Sequence, residues 1–397
     1  MLTDGERRVL DAIDEAEAGE LVRELVQRPS PNPPGREEEV ARHLAHACRD
    51  RGLQARLDEV APGRPNVYAS VGPADPDGLL LLAHTDTVPA GEGWTRPPFE
   101  GTVENGRVIG RGAVDMKAGI AAAVVAMGAL ARSGVRLTGP VALAAVVDEE
   151  EGGVGVRAML ERGGVEAQGA IVPEPTELQT IIACRGNCYV DVEVRGRSAH
   201  AGSPQEGRNA IYGATRVVEG VRRLHEALAA TTHPLLGAGG WSVGVIRGGT
   251  GTAMVPDRCR ISIDRRLLPG QSGQDAKSEI DALLRSLHLG AQELAAESEL
   301  MMEIPSFEVP PDHPFVVTAR SASIDAGAPA QPLAGWTAAC DGGYLMRDTA
   351  IPTVVLGPGS VVGQAHRPDE SVPVAEVVTA ARAYALCALR TLAHLTP

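Results

Sequence analysis

The sequence predicts an α/β protein: a mixed, mostly parallel sheet with helices on both faces, interrupted by a second, smaller α/β unit. Three observations carry that expectation. Apolar runs of strand length, such as "LLLLAH" and "VALAAVV", alternate with helical patterns through the first half of the chain, the order expected of parallel strands joined by helices. Beyond about Ala183 the strands change character: "NCYVDVEVR" alternates apolar with polar residues, the mark of an antiparallel strand with one solvated face. A chain of 397 residues also exceeds what one core usually accommodates, so two domains are expected.

In chain order, residues 4–29 read as one helix that ends before "SPNPPG", Ser30 to Gly35, a loop rich in helix breakers. A second helix runs from about Arg36 to Arg51, followed by strands at "LQARLDEV", "NVYASVG" and "LLLLAH". "GRVIGRGAVDMKAGIAAAVVAMGAL" reads as strand, loop and long helix, and "PVALAAVVDEE" and "GAIVPEPTE" as strands that run into acid. The inserted unit reads as the strand "NCYVDVEVRGRSAHAG", the amphipathic helix "NAIYGATRVVEGVRRLHEAL", the strand "RCRISIDRRLLPG", the helix "QDAKSEIDALLRSL" and the strand "SELMMEIPSFE". From Asp312 the chain returns to helix, then to the buried strand in "TAIPTVVLGPG", which opens on a Gly/Pro loop. The domains are therefore placed at 1–183 with 305–397, and at 184–304.

A net charge of −14 argues against nucleic acid or an anionic membrane surface as a partner. The amino terminus, "MLTDGERRVLDAIDEAEAGEL", is charged throughout and lacks a signal-peptide pattern. The apolar run from Ala118 to Ala131 is too short for a bilayer and reads as a buried helix. Six scattered cysteines without a C-x-x-C point to free thiols and a cytoplasmic setting.

The strand ends carry the chemistry. "LLLLAHTDTVPAG" presents His84 and Asp86, two residues apart and so on one side of an extended chain. "VVDEEEGG" presents Glu149 and Glu150, "VPEPTE" presents Glu174, and Asp115 sits in the glycine-bounded loop "GRGAVDMKAG". His366 comes late, in "GQAHRPDE". Each alone would pass for an ordinary solvated side chain. Gathered at the carboxyl ends of one sheet, where ligands bind in such folds, so many carboxylates require cations. Imidazole with carboxylate suits zinc, cobalt or manganese.

"LLLLAHTDTVPAGEGWTRPPFEGTVENGRVIGRGAVDMKAGIAA", "VVDEEEGG", "PEPTEL", "GRSAHAGSPQEGRNAI", "VPDRCRISIDRRLLPG" and "LGPGSVVGQAHRPDE" stand in order across nearly the whole chain. In these segments the sequence resembles the M20 family of metal-dependent aminoacylases and exopeptidases, the group of acetylornithine deacetylase and succinyl-diaminopimelate desuccinylase. The resemblance implies a zinc-exopeptidase-like catalytic domain interrupted by a smaller lid that dimerises. It implies two divalent ions, zinc foremost and cobalt or manganese as alternatives, bridged by Asp115. His84 and Glu174 would hold one ion, Glu150 and His366 the other. Asp86 would fix the ring of His84, and Glu149 would be the general base acting on water activated between the ions. Three glutamates share this turn, and the family pattern D-E-E-x-G leaves Glu151 as the spacer. His200 in "GRSAH" is the implied oxyanion donor, reaching the neighbouring subunit's site. Arg266, Asn209 and the "GPGS" loop (Gly357, Gly359, Ser360) are the implied substrate contacts. Arg265 alternates to the other face of its strand.

The implied reaction is hydrolysis of the amide bond of an N-acyl amino acid by a cytoplasmic homodimer. A dipeptidase or carboxypeptidase of the same family is the nearer alternative. A non-catalytic scaffold of the same fold is the more distant one, since such a protein should lack a ligand or the base and here none is missing. Two features stand apart. "GVGVRA" formally fits a dinucleotide fingerprint, but it follows an acidic turn that would repel pyrophosphate. Ala253, in "GTAMVPDR", stands where relatives commonly carry asparagine, which puts the usual substrate of the group in question.

Overall fold

The computed structural model describes residues 2–74, 77–163 and 166–392. The chain divides into two units: the larger runs up to Ile182, resumes for Val309–Ala334 and again from Tyr344, while the smaller comprises Ala183–Glu308 and Gly335–Gly343. The expected boundaries differ at the return. Phe307 and Glu308 pair with Cys184 and Ala183, which holds the chain in the smaller unit past residue 304. Gly335–Gly343 joins that unit too, where the Trp336 carbonyl accepts the Arg185 amide.

In the larger unit, the strands Val141–Val146, Gly78–His84, Ala167–Val172 and Thr353–Val355 lie side by side and parallel. Arg64–Val71 joins antiparallel at one side, with Gln54–Ala61 beyond it, and Ile181 pairs antiparallel with Val355 at the other. All seven residues of Gly78–His84 are buried, as expected of a strand covered on both faces. The register aligns His84 with Val146 and Val355 with Val172. Four parallel strands therefore end at one level, and the segments that follow them carry Asp86, Glu149, Glu174 and Gly357.

The long helix Ala118–Ser133 is buried at every residue from Ala118 to Leu130. The segment Ala113–Ser133 is long and apolar enough to cross a membrane, but its apolar stretch is buried inside the protein. The helix Val374–Leu392 packs against it and against Pro314–Asp325. The expected single helix over 4–29 is two helices, Asp4–Asp11 and Glu15–Val26. The break falls at Asp14, whose side chain accepts the Glu17 amide at 2.8 Å and caps the second helix.

The smaller unit is a four-stranded antiparallel sheet in the order Gly240–Gly248, Arg258–Leu267, Gly186–Arg195, Ala295–Ile304. The helices Ala210–Leu228 and Gly273–Ser286 pack on it. Val190, Val192 and Val194 are fully buried while Asp191 and Glu193 between them stay partly exposed, so the alternation read from the sequence does mark one core face. Gly240–Gly248 was not anticipated as a strand. Its glycines hide the alternation, and a bulge between Val243 and Val245 interrupts it.

Candidate metal centre

His84 is the last residue of its strand and is 2 % exposed. Its Nδ1 lies 3.0 Å from the backbone carbonyl of Asp86, so Nδ1 donates there and Nε2 is the nitrogen that could ligate a cation in place of its proton. That Nε2 faces Asp115 Oδ1 at 3.2 Å and Glu174 Oε1 at 3.6 Å. The second oxygen of Asp115, Oδ2, lies 3.2 Å from His366 Nε2, which is itself 3.4 Å from Glu150 Oε1. Two ligand sets result, His84–Asp115–Glu174 and Asp115–Glu150–His366, each with its ligand atoms within 4.8 Å of one another. Asp115 belongs to both, offering one oxygen to each.

The electrostatics test whether cations fit. Burial alone would push His84 down, but hydrogen bonds to Asp115 and Asp86 and the charges of Glu174 and Glu149 carry it well above the usual histidine range. His366 is pushed up to about 10 by its hydrogen bonds to Asp115 and Glu150. Burial works against ionisation of Asp115, yet its two histidine partners hold it far below the ordinary carboxylate range. Glu150 is raised by burial, with the Asp115 charge adding to it. The residues thus call for positive charge at two places, one on each side of Asp115. A pair of divalent cations bound by imidazole nitrogen and carboxylate oxygen fits that demand.

Two glycines permit the convergence. A Cβ at Gly119 would stand 2.1 Å from the Pro173 carbonyl oxygen, and one at Gly357 would stand 2.4 Å from that oxygen and 2.5 Å from the Glu174 carbonyl oxygen. Such contacts are too short for any side chain. The helix that follows Asp115 and the loop after Val355 can therefore close on the Glu174 segment only with glycine at these positions.

The profile of the family described as peptidase family M20/M25/M40 matches residues 80–390. The chain belongs to this family. An acetylornithine deacetylase of Klebsiella pneumoniae (strain 342) is 32% identical over 338 residues, covering 82% of this chain and 84% of its own. Among solved structures, an M20 family metallo-carboxypeptidase from Sulfolobus solfataricus superposes with a TM-score of 0.78 at 20% identity, over 94% of this chain and 99% of that one. A dinuclear metal-binding peptidase of the M20 family from Bacillus subtilis does so with a TM-score of 0.71 at 16% identity, over 95% and 98%. The protein is an M20 metallo-hydrolase with a His/Asp/Glu metal-binding site.

Within this M20 site, Asp86 is fully buried and spends its carboxylate on the turn that carries the glutamates. Oδ1 accepts the Glu149 amide and Oδ2 the Glu150 amide, both at 3.2 Å. The carboxylate itself stands 3.5 Å from His84 Nδ1, so the backbone carbonyl of Asp86 makes the closer contact to the ring. Of the three consecutive glutamates, Glu150 joins Asp115 and His366, whereas Glu151 is exposed.

Several residues of the site carried no signal in the sequence reading. Asn32, in the loop read only as a breaker, donates through Nδ2 to Asp86 Oδ2 and to Asp148 Oδ1, both at 2.9 Å. Arg64 pairs with Asp148 at 2.9 Å and with Glu37. Lys117 is completely buried and donates to the carbonyls of Leu25 and Arg28, both at 2.9 Å. It thereby ties the Asp115 loop to the end of the helix Glu15–Val26, and burial pushes its amine down to about 7. Glu370 sits behind Asp115, as developed below.

In the "GPGS" loop, the Gly357 amide donates to Thr176 Oγ1 at 3.1 Å and the Gly359 amide to Glu376 Oε2 at 2.8 Å. Ser360 donates its hydroxyl to Glu177. Both glycine amides and the Ser360 hydroxyl are thus engaged inside the protein.

His200, Asn209 and Arg266 belong to the smaller unit. His200 is exposed, and its Nδ1 accepts the Gly202 amide at 3.0 Å. Asn209 Oδ1 caps the helix Ala210–Leu228 by accepting the Ile211 and Tyr212 amides, so only its amide nitrogen remains to meet a ligand. Arg266 is partly exposed and donates to Asp264 at 2.9 Å. Arg265 is buried over the ring of Trp241, 5.0 Å from its centroid, on the opposite face as expected.

Proposed function

We propose that this M20 hydrolase cleaves the amide bond of an N-acyl amino acid with two divalent ions, zinc foremost, held by the five ligands described above. The observation that carries this reading is the division of Asp115, with Oδ1 toward His84 and Oδ2 toward His366. Two cations so held supply Lewis acidity to the scissile carbonyl and to the attacking water.

The chain's own residues do the rest. The Asp86 carbonyl keeps His84 in the tautomer that presents Nε2. The Asp86 carboxylate holds the turn that aims Glu149, which takes the proton of the attacking water and returns it to the leaving amine. In the homodimer of this reading, His200 donates to the oxyanion that develops in the neighbouring subunit's site. Its Nδ1 is an acceptor in the structure, so the proton of the neutral ring is on Nε2, the form a donor needs. Arg266 serves as the charged fork for the substrate carboxylate, and Asn209 and Ser360 are the further substrate contacts of this reading.

The smaller unit acts in this reading as lid and dimer interface. Gly240–Gly248 is the outer strand of its sheet and exposes Val245 and Ile246. An apolar unpaired edge of that kind is a template for a second copy. Six buried free cysteines accord with a reducing cytoplasm.

The 32% identity to an acetylornithine deacetylase supports an N-acyl amino acid as substrate. Ala253 removes a polar side chain from the lid, so acetylornithine itself is a weaker substrate than larger or differently substituted acyl amides. Short peptides are the second reading, favoured by the fold shared with a metallo-carboxypeptidase. The deciding experiment is a screen of zinc- or cobalt-loaded protein against N-acetyl, N-succinyl and longer N-acyl amino acids alongside dipeptides. Cleavage of dipeptides alone moves the assignment to peptidase. No turnover of any of them with metal bound revives the reading of a non-catalytic scaffold of the same fold.

A further inference from the structure

We propose that the buried pair Arg111–Glu370 positions the bridging Asp115 and the ligand His366, and thereby sets the affinity of the metal centre. The inference rests on the two-metal reading above. Arg111 precedes Asp115 by four residues and Glu370 follows His366 by four, so each charge lies on a loop that bears a ligand. Arg111 is 2 % exposed and Glu370 fully buried. Their ion pair, Nη1 to Oε2, is 2.5 Å long.

Glu370 uses its other oxygen on the metal loop. Oε1 accepts the amide of Val114 at 2.8 Å and of Asp115 at 3.1 Å, while the Glu370 carbonyl accepts the Gly110 amide at 2.8 Å. The backbone of the bridging residue is therefore pinned through its own amide and that of Val114. Arg111 binds the remaining pieces. Its Nη2 donates to the Ala90 carbonyl at 3.0 Å, on the loop that follows Asp86, and Nη1 reaches the Arg367 carbonyl at 3.4 Å, the residue after His366. Trp94 lies against the guanidinium, 5.2 Å from ring centroid to Cζ. One guanidinium thus joins three loops: that of His84 and Asp86, that of Asp115 and that of His366.

The arrangement matters most for His366. It is half exposed at 52 % of its side chain and holds φ at 62°, a left-handed conformation that a non-glycine residue keeps only when its surroundings enforce it. Arg367 and Glu370 anchor the loop immediately behind it.

The test compares E370Q and the double variant R111M/E370M with the unmodified protein. E370Q keeps an oxygen for the two amides but turns a donor toward Arg111. The double variant removes both charges, so neither is left buried and unpaired. Zinc affinity is read by competition with a chromophoric chelator, ligand geometry by the visible spectrum of the cobalt-loaded protein, and folding by the melting temperature of the chelated protein. Both variants are expected to lower the melting temperature of the chelated protein, E370Q because Arg111 loses its buried counter-charge and the double variant because the Val114 and Asp115 amides lose their acceptor. At a temperature where the chelated variant is still folded, both are expected to bind zinc about 10–100-fold more weakly with an altered cobalt spectrum. Unchanged zinc affinity and an unchanged cobalt spectrum in E370Q overturn the inference, whether or not the double variant folds. A loss of zinc fully matched by loss of folding in the chelated protein also overturns it, since that is a purely structural pair. Unmodified protein that takes up no zinc in the same titration overturns the two-metal reading and this inference with it.

Discussion

Asn32 offers the sharpest test of how the site is held together. Its side chain is 4 % exposed, and its Nδ2 bridges two buried carboxylates, Asp86 and Asp148, at 2.9 Å each. Asn32→Ala removes both bonds. A hydrogen bond to a charged group contributes about 1.5–3 kcal/mol, so the pair sets a ceiling of roughly 6 kcal/mol. The loss is smaller because neither carboxylate is stripped bare. Asp86 Oδ2 keeps the Glu150 amide at 3.2 Å and Asp148 Oδ1 keeps Arg64 at 2.9 Å. We therefore expect Asn32→Ala to destabilise the chelated protein by about 2–4 kcal/mol, read by denaturant unfolding so that metal binding does not enter. Because Asp86 also fixes the amides of Glu149 and Glu150, turnover of the metal-loaded protein should fall by about 10–100-fold. Asn32→Asp is expected to be worse than Asn32→Ala, since it puts a third carboxylate where the donor stood. An Asn32→Ala protein within about 0.5 kcal/mol of the unmodified one, the range of an inert surface change, with turnover intact, would refute the reasoning.

Further outcomes follow from the same geometry. Exhaustive chelation should abolish amide hydrolysis, with zinc or cobalt restoring it at two ions per subunit by elemental analysis; full activity without metal would sink the metal centre. Glu149→Gln should keep metal and fold while losing about 10²–10⁴-fold in turnover. Glu150→Gln should lose metal occupancy, and Glu151→Gln should do neither. A Glu149→Gln protein with near-normal turnover would shift the base to another group. The protein should sediment as a homodimer, and mixing His200→Ala with Glu149→Ala subunits should regenerate active sites that neither parent has. A fully active monomer would exclude that arrangement.

What the sequence disclosed and what it withheld divide along a physical line. His84, Glu150 and Glu174 were legible because each follows an apolar strand whose end a reader can locate, and parallel strands deliver their ends to one level. Glu149 and Asp86 came with them by spacing. Asp115 and His366 stand on loops, where residue type rather than periodicity drew attention to them, and the family resemblance supplied the ligand roles. The supporting groups had no such marker. Asn32 lies 54 residues from Asp86 in a proline-rich loop, and nothing local distinguishes its amide from that of a turn asparagine. Arg111 and Glu370, 259 residues apart, were not singled out in "GRG" and "RPDE", where nothing local marks either charge as buried. The same blindness produced the structural errors. Asp14 splits an expected helix through a single cap, and Gly240–Gly248 is a strand because Arg258–Leu267 pairs with it, not because its glycine-rich sequence prefers one.

The ligands and their supports also differ in what a substitution does. A ligand acts through its own atoms, so its residue type is constrained by the chemistry of the ion and leaves a recognisable pattern. A support acts by ending a hydrogen-bond deficit: Glu370 satisfies two buried amides, Asn32 two buried carboxylates, Lys117 two carbonyls. Any group of suitable polarity that reaches the same place from any loop would serve, so local sequence leaves little trace of the role. The unpaired polar atoms that would remain without it are the clearest sign that the role exists. The support of this centre is therefore found by asking where each buried donor and acceptor around Asp86 and Asp115 is satisfied, and Asn32 and Glu370 are the answers that question returns.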